Sequence, residues 1–206
     1  LFSLTEQNAF AARLSDGKTY RFHHLMRACA GKIFDRFDEN RRIEYYNRYG
    51  KWYLQNGQYL QSFDSFEHGK NYSGWLKAIE KDVGIALASC SPEEVLRRLK
   101  LCPKEALENN PNAVLVLMRR LFSWGKYKEM LELKELLLSS VESGSFSDEE
   151  KGNISGECDL IMSFFCYNDI EGMSRLHQSA CKKMTRPAAS IKTYGSFTFG
   201  SPSVLM

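Results

Sequence analysis

No stretch of about 18 or more apolar residues occurs in this chain, and no basic segment followed by a short apolar one opens it. Neither a membrane-spanning helix nor a secretion signal is therefore indicated. The six cysteines, Cys29, Cys90, Cys102, Cys158, Cys166 and Cys181, include no Cys-x-x-Cys pair, which leaves no zinc ribbon or redox dithiol in view. The expectation is buried free thiols in a reducing, cytoplasmic setting. A large excess of one sign of charge is absent as well. The net charge is only +3, and the doublets Arg41-Arg42, Arg97-Arg98, Arg119-Arg120 and Lys182-Lys183 are separated by acidic residues. They read as solvated helix faces rather than as a nucleic-acid footprint. Gly-x-Ser-x-Gly and His-Glu-x-x-His are missing, and Gly50-Lys51 lacks the upstream glycine of a phosphate loop. An enzyme is the least favoured class.

What is present is ordinary globular material, 43% hydrophobic and 26% charged over 206 residues, enough to bury a core. Phe2 to Arg13 and Thr19 to His24 are short apolar-polar runs joined through Asp16-Gly17, a hairpin signal, and Leu25 to Phe37 continues as a helix. From Asn40 the period becomes helical. Over Asn40 to Asn56, Ile43, Tyr46, Gly50 and Tyr53 form one stripe and Tyr45, Tyr49 and Trp52 a second, as an inner helix of a stack requires. Ser73 is positioned to cap a helix with the stripe Leu76, Ile79, Val83, Ala86, Leu87 and Cys90. Ser91-Pro92-Glu93-Glu94 and Ser147-Asp148-Glu149-Glu150 read as capping boxes, and Pro103 and Pro111 as further restarts. About ten helices and no long strand are expected.

Three segments share one form, a helix ending in aromatics, a turn, and a second amphipathic helix: Trp52 to Phe63, Leu121 to Leu131 and Phe164 to Leu176. Their turns, Gly57-Gln58-Tyr59, Gly125-Lys126-Tyr127 and Asn168-Asp169-Ile170, place glycine or asparagine where a helix ends left-handed. An apolar residue two positions later is placed to pack back between the helices. Ser62 holds a small-residue position where two helices approach, but Met130 and Met173 stand at the equivalents. The turns are unevenly spaced, so the array is a degenerate form of the repeat of about 34 residues. The fold class read from this is all-α: a tetratricopeptide-like α-solenoid of antiparallel helix pairs behind a small N-terminal β-hairpin. Its boundaries fall at 1–38 and 39–206. Leu1 at the start, and Ser201-Pro202 before Val204-Leu205-Met206 at the end, read as the cut ends of a longer protein.

The segment Tyr20-Arg21-Phe22-His23-His24-Leu25-Met26-Arg27, preceded by Leu1-Phe2, resembles the end of the winged-helix domain in MalT-like regulators of the LuxR class. Tyr49-Gly50-Lys51-Trp52-Tyr53-Leu54-Gln55-Asn56-Gly57-Gln58-Tyr59 resembles the first helix pair of their repeat domain. That resemblance implies a bacterial parent with an ATPase module, which binds ATP or ADP, ahead of this region. It also implies a C-terminal helix-turn-helix that alone contacts DNA, and possible self-association of the parent. No cofactor belongs to these residues themselves. In such switches a winged-helix histidine contacts the nucleotide phosphate, so His23 and His24 are candidates. The alternative is a histidine at the hairpin-to-helix junction bonded to backbone.

Aromatic residues supply the remaining candidates. Most of the Tyr45 to Tyr59 cluster, with Tyr72 and Trp75, is expected in the core, while Tyr45, Tyr49, Trp52 and Trp75 are candidates for a groove that holds a ligand. Asp64, Glu67 and His68 share one helix face, either as a carboxylate-imidazole site or as ordinary side-chain pairing. The leading functional expectation is a sensor and oligomerisation scaffold for a small-molecule inducer or protein partner, with no membrane. A freestanding tetratricopeptide-type adaptor is the alternative, and single-stranded RNA binding is a weaker third.

Overall fold

An isolated two-stranded hairpin followed by helices is what the N-terminal pattern asks for. The structure, a computed structural model, describes residues 11–13, 15 and 20–190. The chain divides into two compact units, Leu1–Tyr46 and Asn47–Met206. In the first, β1 (Ala11–Arg13) pairs antiparallel with β2 (Tyr20–Phe22), Ala12 opposite Arg21. The Asp16-Gly17 turn and Leu1-Phe2 lie outside the described residues. Helix α1 (His24–Asp35) follows, and no residue in it is buried. Aromatic rings hold this unit together: Phe37 and Tyr45 stack at 5.5 Å, and Phe34 meets Tyr46 edge-on at 5.2 Å. The Arg41 guanidinium lies 4.1 Å from the Phe37 centroid, within cation-π range. The division between units falls inside α2 (Glu39–Gln55), not ahead of it at residue 38.

The second unit continues as α3 (Tyr59–His68), α4 (Tyr72–Asp82), a 3₁₀ turn at Ala86–Ser89, α5 (Pro92–Leu101), α6 (Lys104–Glu108) and α7 (Pro111–Ser123). It ends with α8 (Tyr127–Ser143), α9 (Asp148–Met162), a second 3₁₀ turn at Ser163–Cys166 and α10 (Ile170–Lys183). Among the described residues that makes ten α-helices, none long and apolar enough to cross a membrane. The Ser201-Pro202 signal lies outside the described residues.

Local chemistry accounts for most boundaries. Ser147 caps α9 with the reciprocal Glu150 bond of a full capping box. Ser91 accepts from the Glu94 amide at 3.2 Å, but the Glu94 carboxylate turns to Arg98 instead of closing the box. Ser73 lies inside α4, which Asn71 caps by accepting from the Gly74 amide at 2.8 Å. Nor does that helix run to Cys90. It stops at Asp82 because Val83 and Gly84 both take positive φ, 55° and 71°.

The same device ends four helices, a left-handed residue followed by a backbone bond reaching five residues back. Gly57 precedes Gln58 N–H donating to Tyr53 O at 2.9 Å, and Gly125 precedes Lys126 N–H donating to Leu121 O at 2.9 Å. Lys70 precedes Asn71 N–H donating to Phe66 O at 2.8 Å, and Val83 precedes Gly84 N–H donating to Ile79 O at 3.1 Å. Asn168 is also left-handed, at φ 70°.

The core lies in the second unit, and α7 is its centre: Ala113 through Arg119 and Leu121 are all buried. Helix α7 packs against α4, α6, α8 and α9. The inner position that the sequence pattern gives to Asn40–Asn56 is therefore occupied by α7. In α2 only Gly50 is buried, and Tyr49 and Trp52 are about half exposed. The pair α7–α8 is followed by the pair α9–α10, with α7 against α9. Two close approaches frame the start of the unit. Ser62 Oγ donates to Gly50 O at 3.0 Å, and the Phe66 ring is wedged between the backbones of α2 and α4.

A Cβ added at Gly50 or at Gly74 would sit 2.7 Å from the Phe66 ring, which is itself buried. Alanine in a helix interior gains about 0.5–1 kcal/mol over glycine, whereas overpacking costs about 1–3 kcal/mol, so the clash wins. Gly50→Ala and Gly74→Ala should each lower the unfolding free energy in a urea titration followed by circular dichroism. Gly57→Ala meets open space and should lose only the left-handed penalty of about 1 kcal/mol.

Candidate functional site

Three groups of side chains in the second unit are candidates for a site. The first begins with Arg98, which occupies the position three after the core residue Val95 and is only 3% exposed. Burying a guanidinium requires acceptors, and three carboxylates from two helices provide them. Arg98 Nη2 donates to Asp64 Oδ1 at 2.6 Å and to Glu94 Oε1 at 2.7 Å, while Nε donates to Glu67 Oε2 at 2.7 Å. Arg97 pairs with the other oxygen of Glu67. Burial raises the Glu67 pKa, but the bonds and charges of Arg97 and Arg98 outweigh it and hold the carboxyl below its ordinary 4.5. Against Arg98 burial acts in the opposite sense, and the carboxylates outweigh it to keep the guanidinium charged. An open depression of about 680 Å³ lies over this cluster, with Lys70 and Leu101 at its sides.

Asp64 and Glu67 are thus paired from α5, and His68 turns its Nδ1 to within 2.7 Å of the Asp64 carbonyl oxygen. The doublets divide in the same way. Arg97 points outward and Arg98 inward, and Arg119 is buried with its pKa pushed down to about 10 by desolvation and by Arg120. The solvated-face reading fails for Arg98 and Arg119. The signal was a basic residue three positions after a core valine, Val95 or Val116, within an apolar stripe.

The second group is Ser163 with His177. Ser163 Oγ donates to Leu160 O at 2.6 Å and lies 3.0 Å from His177 Nε2. The hydroxyl proton is already committed to a carbonyl and Ser163 is buried, so the ring donates to it and the pair pins α10 to the end of α9. Six free cysteines complete the nucleophile inventory. Only Cys158 is fully buried, and burial pushes its thiol up to about 11, while Cys29 and Cys181 are exposed, contrary to the expectation of buried thiols. Among the described residues no group of three or more His, Cys, Asp and Glu is placed to hold a metal ion.

The third group is aromatic. At the turn between α7 and α8 and the turn ahead of α10, Phe122 meets Phe165 at 5.0 Å and Phe164 at 5.4 Å, and Tyr127 meets Phe165 at 5.2 Å. Beside this cluster Tyr167 is 78% and Ile170 83% exposed. Of the apolar residues two positions after the turns, Tyr59 packs against the core, whereas Tyr127 is 47% exposed and Ile170 does not pack back into its helix pair.

Of the candidates drawn from the sequence, Tyr45, Tyr49 and Trp52 lie on α2. Trp75 is 1% exposed and belongs to the core, so it lines no open groove. Tyr45 stacks on Phe37 in the first unit, and Trp52 packs edge-on against Tyr53 at 5.3 Å in the second. His23 caps α1, its Nδ1 accepting from the Leu25 amide at 3.3 Å, with the His24 ring centroid 4.1 Å away. Comparison with family models, curated proteins and solved structures returns no match.

Removing Arg98 leaves a mostly buried Glu67 with the half-exposed Arg97 as its remaining cation. Arg98→Met should cost about 3 kcal/mol, the low end for breaking a buried pair, because Asp64 and Glu94 remain partly in water. Glu67 has a folded pKa below its unfolded 4.5, so its contribution is present above that pH and is lost as pH falls through the lowered value. The gap between Arg98→Met and the unaltered chain should narrow in urea titrations taken below pH 4.5, and a constant gap would remove Glu67 from the account.

Proposed function

We propose that the chain is an interaction scaffold of helix pairs that recognises a protein partner through an aromatic face at its turns. The observation that carries this reading is the contact of Phe122 and Tyr127 from one helix-pair turn with Phe164 and Phe165 from the next, with Tyr167 and Ile170 left in solvent beside them. Large exposed side chains cost hydration, and Tyr and Phe anchors are the groups that carry binding energy at protein interfaces. The α7–α8 and α9–α10 pairs, joined through α7 and α9, support the side-by-side stacking of a tetratricopeptide-like solenoid. The charged cluster around Arg98 is saturated internally, which turns attention to this apolar face.

A second reading places the scaffold as the inducer-sensing arm of a MalT-like regulator of the LuxR class. It is favoured by the order of elements: a two-stranded hairpin, histidines at the start of α1, then a helix pair with its left-handed Gly57 turn. In that setting nucleotide and DNA are handled by other modules. A coding sequence whose flanks encode neither a phosphate loop nor a helix-turn-helix would remove this reading and leave the first intact.

A photo-reactive phenylalanine in place of Tyr167 should trap one defined partner in cells, and trapping should fall at least about tenfold with Tyr127→Ala in the same chain. The same probe in place of the exposed Lys104 is the control. Equal trapping at both positions, or none at Tyr167, overturns the aromatic face as a recognition surface.

A further inference from the structure

Past the end of α10 the chain crosses α9 as an irregular strap, residues 185–190, bent at 185–186 and 189–190. It is held through four backbone amides and through the side chains of Thr185 and Arg186; Thr185 Oγ1 donates to Glu149 Oε1 at 2.7 Å and accepts from Asn153 Nδ2 at 3.1 Å. Asn153 Oδ1 accepts from the Thr185 amide at 2.9 Å and from the Arg186 amide at 3.3 Å. One turn along, Glu157 Oε2 accepts from the Ala189 amide at 2.8 Å and Oε1 from the Ser190 amide at 2.5 Å. The Arg186 guanidinium reaches Glu157 Oε2 at 3.4 Å. The approach to the strap is just as close. A Cβ at Gly152 would lie 2.6 Å from Lys183 O, and one at Gly156 would lie 2.5 Å from Met184 Cγ. Glycines at these two positions let the chain lie against the helix.

Two features set this apart from an ordinary helix-to-loop connection. Glu157 is 0% exposed, and a buried carboxylate whose donors are mostly main-chain amides reads the course of a chain rather than its sequence. The fit to the strap's own sequence is also imperfect. Ser190 is fully buried, and its hydroxyl has no hydrogen-bond partner among the described residues. An orphaned buried hydroxyl costs about 1–3 kcal/mol, and an alanine in its place would escape that cost.

We propose that the Asn153–Glu157 face of α9 is a recognition site for a bent, non-helical peptide segment, occupied in cis by residues 185–190. The partner it fits carries a threonine and an arginine in succession, followed three and four residues after the arginine by two small residues with available backbone N–H groups. Such a segment supplies every donor that the strap supplies and leaves no hydroxyl stranded. Binding in trans is therefore an exchange, and the strap lowers the apparent affinity by the fraction of time it stays seated. This site is independent of the aromatic face, and each can fail without the other.

The test uses the full chain and a fluorescent synthetic peptide repeating residues 183–190 with Ser190→Ala. Ala189→Pro removes one amide that Glu157 accepts and weakens the strap, so it should bind the peptide about tenfold more tightly than the unaltered chain in anisotropy titrations. Glu157→Gln in the Ala189→Pro background should cancel that gain, because the carboxamide keeps one acceptor and loses the charge facing Arg186. If Ala189→Pro keeps its helical circular dichroism and shows no gain, the strap is a structural tether only and the proposal falls. Amide exchange on the unaltered chain decides the matter if the variant does not fold. Excess peptide should speed exchange at Ala189 and Ser190, and unchanged protection there overturns the proposal.

Discussion

Helix α7 has no face turned to water over Ala113–Arg119, and the rest of the second unit is arranged by what that requires. A helix buried all round needs apolar surface on every side, which α4, α6, α8 and α9 provide. Its last turn carries arginines, so polar acceptors must also be brought to it. Arg119 Nη2 donates to Val83 O at 2.9 Å and Arg120 Nη2 to Gly84 O at 2.8 Å. A β-branched residue in the left-handed region costs about 1–2 kcal/mol, whereas a hydrogen bond to a charged group contributes about 1.5–3 kcal/mol. Two such bonds outweigh the strain at Val83. Gly84 is fixed by the same contact, since a Cβ there would meet Val116 Cγ1 at 2.6 Å. The early stop of α4, unexpected from its stripe, follows from the need to present two carbonyls to α7.

What was legible in the sequence divides along the range of the interaction. Features settled within about six residues were readable: the Ser147 box, the proline starts at Pro92 and Pro111, and the left-handed turns at Gly57, Gly125 and Asn168. Features settled by partners thirty residues away were not. Trp75 belongs to a polar-apolar pattern compatible with either a groove or a core, and only the closing of α3 and α4 on each other decides for the core. Arg98 and Arg119 look like any surface doublet until Glu67 and Val83 are found opposite them. At Lys70 the left-handed residue is the neighbour of Gly69, not the glycine itself, and at Val83 a valine joins Gly84 in the left-handed region, so counting glycines misplaces those two helix ends by one residue.

The charged groups follow one rule, that buried charge is matched inside the unit. Arg98 is answered by Asp64, Glu67 and Glu94, and Glu157 by the strap amides and Arg186. Asp82 receives the Ala86 amide at 2.5 Å, although burial still raises its carboxyl pKa. Exposed aromatic and aliphatic side chains also occur at the turns that precede α8 and α10, among them Tyr127, Phe165, Tyr167 and Ile170. Charge fixes the geometry of these helix pairs.

Glu157 differs from the other buried charges in how its partners are delivered. The carboxylates around Arg98 sit on helices and cannot leave without unfolding, whereas the amides on Glu157 arrive on a single strand past the last described helix. Lifting that strand into water exposes an anion that water itself solvates well, so the net loss is modest, on the order of 1–2 kcal/mol for each amide bond given up. Four such bonds keep the strap seated for most of the time at equilibrium. Replacement by a segment carrying the same donors loses none of them, so substitution is favoured over opening. The binding preference of that face is then set by the difference between two chains, in which one stranded hydroxyl is enough to decide.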